Sequence, residues 1–262
     1  MAKGKWHCWH CNASGNYLVS LAKRLNFNQS QIKELKRILA DDDVYLSKDE
    51  SSTSVLALPE EFKPMWIPTK SYEYKNALFY LRSRGITASD ILRYGIGYCD
   101  TGLYSNRIII PSYDEVGKLN YFVGRDFFGN SPLKYKNPPV SKNIIGLDYH
   151  INWNYPITLC EGSFDAISIK WNAIPLFGKT LPSKLKQKIL EKNVKKIYVA
   201  LDADATKDAL HLIQTFMKEG QEVHYVDSKG KDPGEVGFSK MQEHIEDSNS
   251  MTFRDVVLMK LS

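Results

Sequence analysis

Cysteine is scarce in this chain of 262 residues: Cys8, Cys11, Cys99 and Cys160 are the only four, too few and too scattered for a disulfide framework. Long apolar runs are missing too. No stretch approaches the roughly 20 residues needed to cross a bilayer. The start, Met1-Ala2-Lys3-Gly4-Lys5-Trp6-His7-Cys8, carries no apolar segment behind its basic residues, so nothing in it reads as a secretory leader. There is no internal repeat and no Walker phosphate loop: Gly178-Lys179-Thr180 has the composition of one but lacks the preceding glycine at its four-residue spacing. These absences point to a soluble, intracellular protein without an ATPase-type nucleotide loop. What is present suffices for a packed core, with 43% hydrophobic and 12% aromatic residues, and the length suits one large or two modest domains.

A net charge of +5 says little by itself; its placement says more. Between Lys118 and Lys142 stand five basic residues (Lys118, Arg125, Lys134, Lys136, Lys142) and one acid, Asp126, interleaved with Tyr121, Phe122, Phe127, Phe128 and Tyr135. Cations hold phosphates and aromatic faces stack on bases, so the mixture suits a single-strand groove; a solvated sheet with aromatics on its core face is the other reading. The lysines Lys184, Lys186, Lys188, Lys192, Lys195 and Lys196 read as a solvated helix face that also attracts nucleic acid without specificity.

Along the chain, Gly15 or Asn16 opens a helix through Leu18, Leu21, Ala22 and Leu25, and Asn28 or Ser30 caps a second with Ile32, Leu35, Ile38 and Leu39 on one face. Residues 47–70, with Ser51-Ser52-Thr53-Ser54 and Pro59, Pro64 and Pro68, read as a linker. A helix is expected over Glu73–Arg84, and a short one opened by Thr87-Ala88-Ser89-Asp90 and closed by Gly95. Strands are expected at Arg107–Pro111, Leu119–Arg125 and Ile144–Leu147, with a hairpin turn at Asp114–Gly117. From Pro156 strands and helices alternate: strands at Ile157–Cys160, Ala173–Phe177 (short or at an edge because of Pro175), Lys196–Leu201 and Glu222–Val226; helices at Phe164–Trp171, Pro182–Lys192 and Lys207–Glu219. That rhythm predicts an α/β fold, a parallel sheet flanked by helices and preceded by a small α+β subdomain. The expected boundaries are 1–26, 27–70, 71–152, 153–240 and a helical tail over 241–262.

In parallel α/β sheets ligands gather beyond the carboxyl ends of the strands. Two acidic groups fall there: Glu161-Gly162-Ser163-Phe164-Asp165 after the first strand, and Asp202-Ala203-Asp204 after the third. If those strands are neighbours, Glu161, Asp202 and Asp204 meet across one crevice. Clustered like charges repel and need a cation, and carboxylate oxygens that leave room for water and phosphate suit Mg²⁺ or Mn²⁺. For Asp165, metal binding and stabilisation of a helix N-terminus stand side by side.

These motifs resemble the TOPRIM signature of primases, type IA and II topoisomerases and some nucleases. Lys231-Asp232-Pro233-Gly234-Glu235 resembles a further TOPRIM-primase segment, which makes Asp232 a metal ligand or a residue that orients one. Upstream, Tyr80-Leu81-Arg82-Ser83-Arg84-Gly85-Ile86-Thr87, then Tyr94-Gly95-Ile96-Gly97-Tyr98, Arg107-Ile108-Ile109-Ile110-Pro111, Val123-Gly124-Arg125, Lys134-Tyr135-Lys136-Asn137, Lys142 and Gly146 are similar to the bacterial and phage primase core. The resemblance covers roughly residues 72–240. It implies a DNA primase that makes short RNA primers on a single-stranded DNA template from ribonucleoside triphosphates, by Mg²⁺- or Mn²⁺-dependent ribonucleotidyl transfer. Glu161, Asp202 and Asp204 would be catalytic, with Asp165 and Asp232 as added metal ligands. Arg125, Lys134, Tyr135 and Asn137 would contact nucleic acid, with Arg107 and Lys142 as weaker contributors; a surface ion pair is the other reading of Arg107. A replicative helicase as partner, no membrane, and a cytoplasmic location in a bacterial cell or phage-infected host follow from the same resemblance, and the short length fits a phage-type enzyme. A TOPRIM nuclease with water as nucleophile and a non-catalytic single-strand-binding module are the alternatives; a topoisomerase lacks room for its strand-passage domain.

Trp6-His7-Cys8-Trp9-His10-Cys11, followed by Gly15, resembles the second half of a primase zinc ribbon. Structural Zn²⁺ takes four ligands, and Cys8 and Cys11 supply two, with His7 and His10 poorly placed to add the others. An internal start, ligands from another chain and a degenerate site all remain open.

Overall fold

The computed structural model describes residues 56–228 and 233–261 continuously and, before them, 6, 7, 14, 15, 22, 25, 27, 28 and 30–32. The chain divides into two units, Met1–Val55 and Leu56–Ser262. In the first, strand β1 (Trp6–His7) pairs antiparallel with β2 (Ser14–Gly15). Asn28 caps a helical turn: its Oδ1 accepts from Gln31 N, while Gln31 Oε1 accepts from Asn28 N, a reciprocal arrangement that satisfies two N–H groups at a helix start. Cys8, Cys11 and most of the two helices expected before residue 40 lie outside the described residues.

The second unit begins inside the stretch read as a linker. Leu56, Leu58 and Phe62 pack on Cys99, Tyr104, Ile109 and Phe122, and β3 (Lys63–Pro64) adds an edge to an antiparallel sheet ordered β3-β4-β5-β6-β7. Its other strands are β4 (Gly97–Cys99), β5 (Arg107–Tyr113), β6 (Leu119–Asp126) and β7 (Tyr135–Lys136). Pro64 is tolerated because an edge strand has one free side. Helix α1 (Tyr72–Ser83) is capped by Ser71, whose Oγ accepts from Tyr74 N. Helix α2 (Ala88–Tyr94) opens on the expected Thr87/Asp90 capping box and ends on Gly95 at φ 61°, a left-handed stop that glycine adopts without strain. The hairpin turn closes as expected, Asp114 Oδ1 accepting from Val116 N and Lys118 N.

Ile144–Leu147 is not a strand. Leu147 sits at φ 55° and leads into a 3₁₀ turn, Asp148–His150. Side chains serve the backbone there: Ser112 Oγ accepts from Leu147 N, and Asn120 Nδ2 donates to Ile145 O. Gly146 allows that segment to lie against the parallel domain, since a Cβ would come 2.5 Å from Pro175 O.

The second half is a parallel sheet ordered β11-β10-β8-β9, formed by β8 (Ile157–Cys160), β9 (Ala173–Pro175), β10 (Lys196–Val199) and β11 (Glu222–Tyr225). Pro175 lies on the edge strand, as expected. Helices α3 (Ser163–Ile169), α4 (Ser183–Glu191) and α5 (Thr206–Lys218) are the crossovers; α6 (Pro233–Val236), α7 (Phe238–Glu246) and α8 (Phe253–Leu261) follow. Leu185 and Ile189 of α4 and Ala209, Ile213 and Phe216 of α5 join Ile157, Val199 and Val223 in one core. A second core crosses between the subdomains, joining Ile108 and Leu147 to Phe164, Ile167 and Val226. Among the described residues, no helix is long and apolar enough to cross a membrane.

Polar ties finish the seam. Lys170, in left-handed conformation at the end of α3, reaches across to buried Asp90 at 2.8 Å. Lys188, from the basic helix face, pairs with Glu115 and Asp148 instead of facing solvent, and Lys186 and Lys196 pair with Glu219 and Glu222. Asp90→Ala removes both a helix cap and the partner of Lys170 and should cost about 2–4 kcal/mol, read as a lower urea midpoint with an unchanged slope. Burial raises the Asp90 pKa, but Lys170 and Thr87 outweigh it and leave the group below its ordinary value. Its contribution is therefore present above that ordinary value and lost as pH falls through the lowered one, so the variant and the parent should converge in strong acid.

Candidate metal and nucleic-acid site

β8 and β10 are hydrogen-bonded neighbours in parallel register, Leu159 opposite Val199, and Ala200 N donates to Leu159 O just past the last pair. Both strands therefore stop at the same level. The acids that follow converge: one oxygen each from Glu161, Asp202 and Asp204 lies within 4.8 Å of the others. Glu161 Oε1 is buried with no hydrogen-bond partner among the described residues. Burial and the Asp202 charge push the Glu161 pKa above the ordinary value, against the pull of Lys179. Lys179 Nζ stands 3.3 Å from Asp204 Oδ2. Hard oxygen donors, like charge at short range and an unpartnered buried oxygen fit a divalent cation of the Mg²⁺ or Mn²⁺ type.

Asp165 stands apart from this trio. Its Oδ2 accepts from Gly162 N at 3.0 Å and its Oδ1 from Gly234 N at 3.1 Å. As the third residue of α3 it caps the helix and fastens α6 through those two amides. Asp232 lies outside the described residues.

The opposite wall is cationic. Strand alternation along β6 turns Val123 and Arg125 toward the parallel domain, and both line a cleft of about 330 Å³ with Lys134, Tyr135, Asn137, Lys142, Glu161 and Asp202. Arg125 is 8% exposed. Its guanidinium lies 4.7 Å from the ring centre of Tyr135, its cross-strand neighbour, and 5.5 Å from that of Tyr80. The two rings hold the guanidinium in place, and its Nε is buried with no hydrogen-bond partner among the described residues. Gly124 is required beside it: a Cβ there would come 2.4 Å from Lys136 O, forcing β7 and its Lys134-Tyr135 away. Asn137 Oδ1 accepts from Gly124 N, pinning the strands from the other end.

Arg107, expected on the phosphate-binding wall with a surface ion pair as the other reading, is 5% exposed. It donates to Leu133 O and Ser131 Oγ at 2.8 and 2.9 Å, and at longer range to Gly124 O and Lys134 O. Its register opposite Asp126 points it into the loop before β7, so it shapes the backbone that presents Lys134. Lys142 divides its role: Nζ donates to Phe177 O at 2.7 Å while the residue lines the cleft.

The sequence reading gave no site role to Arg84 or to Tyr80 beside it, which stand four apart at the end of α1, the spacing that puts side chains on one face. Arg84 lines the cleft and lies 5.8 Å from the Tyr80 ring centre. The third omission, Lys179, follows the edge strand at the same end of the sheet as the acids.

No family model matches the chain. In sequence it is 25% identical to the DNA primase of Clostridium acetobutylicum over 88% of its own length and 47% of the relative's. To the DNA primase of Legionella pneumophila it is 25% identical over 76% of its own length and 43% of the relative's. An uncharacterized protein of Mycoplasma genitalium is 29% identical over 56% of this chain and 72% of that one. In sequence the chain is thus similar to bacterial DNA primases. It spans under half the length of the two it matches here. Its fold is that of the primase catalytic core: a DnaG primase catalytic domain solved bound to ssDNA superposes with a TM-score of 0.62 at 17% identity, covering 73% of this chain and 77% of that one. The zinc-binding and RNA polymerase domains of Aquifex aeolicus primase give 0.59 at 18% identity over 94% of this chain and 74% of that one.

A metal-free acid cluster makes a thermodynamic prediction. Because folding raises the Glu161 pKa, its favourable contribution is complete below the ordinary carboxylate value and is lost as pH rises through the raised one. At neutral pH, Glu161→Gln should therefore raise the melting temperature of the metal-free chain by roughly 2–4 °C, the shift that about 1 kcal/mol gives in a chain of this size. Mn²⁺ at a hundredfold excess over its dissociation constant should stabilise the parent by about 2.7 kcal/mol and the variant far less. Equal Mn²⁺ shifts in scanning calorimetry would remove Glu161 from the metal site.

Proposed function

We propose that the chain is the catalytic part of a DNA primase that polymerises ribonucleotides on a single-stranded DNA template during replication. The observation that carries this reading is one cleft with two walls of opposite charge: Glu161 and Asp202 beyond one pair of parallel strands, with Asp204 beside them, and Arg125 and Lys134 on an antiparallel sheet facing them. A polyanionic template needs the second wall, and a metal-dependent transfer to a triphosphate needs the first. The motifs of the acid side make this domain, over about 153–240, a TOPRIM domain, and 71–152 the basic primase subdomain.

In this reading Glu161, Asp202 and Asp204 hold Mg²⁺, which neutralises the triphosphate and acidifies the attacking 3′-hydroxyl when bound. Arg125 and Lys134 hold template or primer phosphates. Arg125 approaches preorganised between Tyr80 and Tyr135, so little conformational freedom is lost on binding. Tyr135, half-exposed, offers ring area for a base. Asn137 keeps the β6–β7 pairing tight, and Arg107 is a positioning residue for the loop that carries Lys134. Asp232 is a further ligand or orients one. Zn²⁺ at Cys8 and Cys11, completed by ligands beyond these two, a replicative helicase as partner, and the cytoplasm of a bacterial or phage-infected cell belong to the same proposal.

Incubation with single-stranded DNA, Mg²⁺ and labelled ribonucleotides should yield short RNA. Asp202→Asn should abolish synthesis and leave single-strand binding intact or tighter, since a charge that repels phosphate is gone. Lys134→Ala should weaken binding and reduce the salt slope by about 0.7, one contact's worth on a single strand, with its rate partly rescued at high DNA concentration. Undiminished synthesis by Asp202→Asn would exclude the acid cluster as the polymerising site. DNA cleavage lost in that variant, with no RNA made by the parent, would favour the nuclease.

A further inference from the structure

A cation of the chain already stands at the acid cluster. Lys179 follows β9 at the same end of the sheet as the acids, and its ammonium lies 3.3 Å from Asp204 Oδ2. It also faces Glu161 and Asp208. Asp204 is 79% exposed and Lys179 40%. An ion pair so open to water adds little stability and opens readily. The same residue also borders a mainly apolar recess of about 380 Å³, lined by Phe177, Leu181 and Pro182 with Lys142 and Ser183.

Charge matching gives the pair a consequence. Three carboxylates carry three negative charges. One divalent ion and one ammonium match them, whereas two divalent ions beside the ammonium leave an excess of positive charge. An oxygen that accepts from the ammonium is also a weaker donor to a metal. We propose that Lys179 is a positioning residue of the acid cluster. Its tethered ammonium takes the Asp204 side, competes there with divalent cations, and leaves the cluster with one firmly held ion instead of two. The inference rests on the reading of Glu161, Asp202 and Asp204 as metal ligands. It accounts for a lysine that lies outside any Walker loop: the charge serves the carboxylates.

The test is a Mn²⁺ titration of the full chain at low salt, with free Mn²⁺ followed by electron paramagnetic resonance, for the parent, Lys179→Met and Lys179→Arg. The parent should hold one Mn²⁺ per chain, and Lys179→Arg, which keeps the charge, should bind like it. Lys179→Met should bind on the order of tenfold more tightly, with the gain shrinking at high salt. In an Asp204→Asn background the effect of Lys179→Met should disappear, as coupling through one shared carboxylate requires. A Lys179→Met isotherm that superposes on the parent's, or lies weaker, overturns the inference, as does a parent that firmly holds two ions; either result leaves the metal site standing. A parent that binds no Mn²⁺ overturns the metal reading and this inference with it. Metal-free melting temperatures within about 2 °C of one another would show that the variants fold alike.

Discussion

Parallel pairing of β8 with β10 puts two strand ends side by side, and the acids just beyond them cannot separate without breaking the sheet. The rest of the site follows from that constraint. Leu159 opposite Val199 sets Glu161 against Asp202, and the short 3₁₀ turn Ala203–Ala205 brings Asp204 to the same point. The repulsion is built into the backbone, and it is relieved by what the cleft holds: Lys179 in the chain itself and, in the proposed enzyme, a divalent ion.

An acid cluster is useful only if the opposite wall stays at a working distance. The seam provides that. Its centre is apolar, with Ile108 and Leu147 packed against Phe164, Ile167 and Val226, so it resists shear as a domain core does. Its margins are ion pairs, Lys170 with Asp90 and Lys188 with Asp148, which add little net stability for their burial but fix orientation. Lys142 stitches the third side through Phe177 O. A cleft whose walls are locked in this way is preorganised for its ligand, which lowers the cost of ordering it on binding.

What the sequence revealed and what it hid have physical reasons. The strand–helix rhythm after Pro156 was legible because each element carries enough apolar residues to show its period. The acids were legible because carboxylates after buried strands are hard to place otherwise. The short strands β3, β4 and β7 hold two or three residues each, too few for a period to appear. Ile144–Leu147 has the composition of a strand, but its hydrogen-bond partners are the Ser112 and Asn120 side chains, which no local pattern reveals. Arg107 and Arg125 are both arginines on paired strands. One faces the loop before β7 and the other the cleft, and only the pairing register separates them. Asp165 was ambiguous for a physical reason: a helix start and a metal both want a carboxylate there, and the structure shows the helix-start role in the amides of Gly162 and Gly234 on its oxygens.

Fold likeness at under 20% identity carries no chemistry, because one architecture hosts many activities; the stability cost of the site carries more. Glu161 Oε1 and Arg125 Nε are both buried without hydrogen-bond partners among the described residues, and a buried polar group left unsatisfied costs about 1–3 kcal/mol. For a domain held together by about 5–15 kcal/mol, that is a substantial fraction. A module that only bound nucleic acid would gain nothing from the Glu161 penalty, since a second acid beside Asp202 repels phosphate. A metal-dependent transferase gains from both, because a cation satisfies the first group and a phosphate the second. Glu161 and Arg125 line one cleft, and in the proposed enzyme a divalent ion and a phosphate would remove the two penalties together.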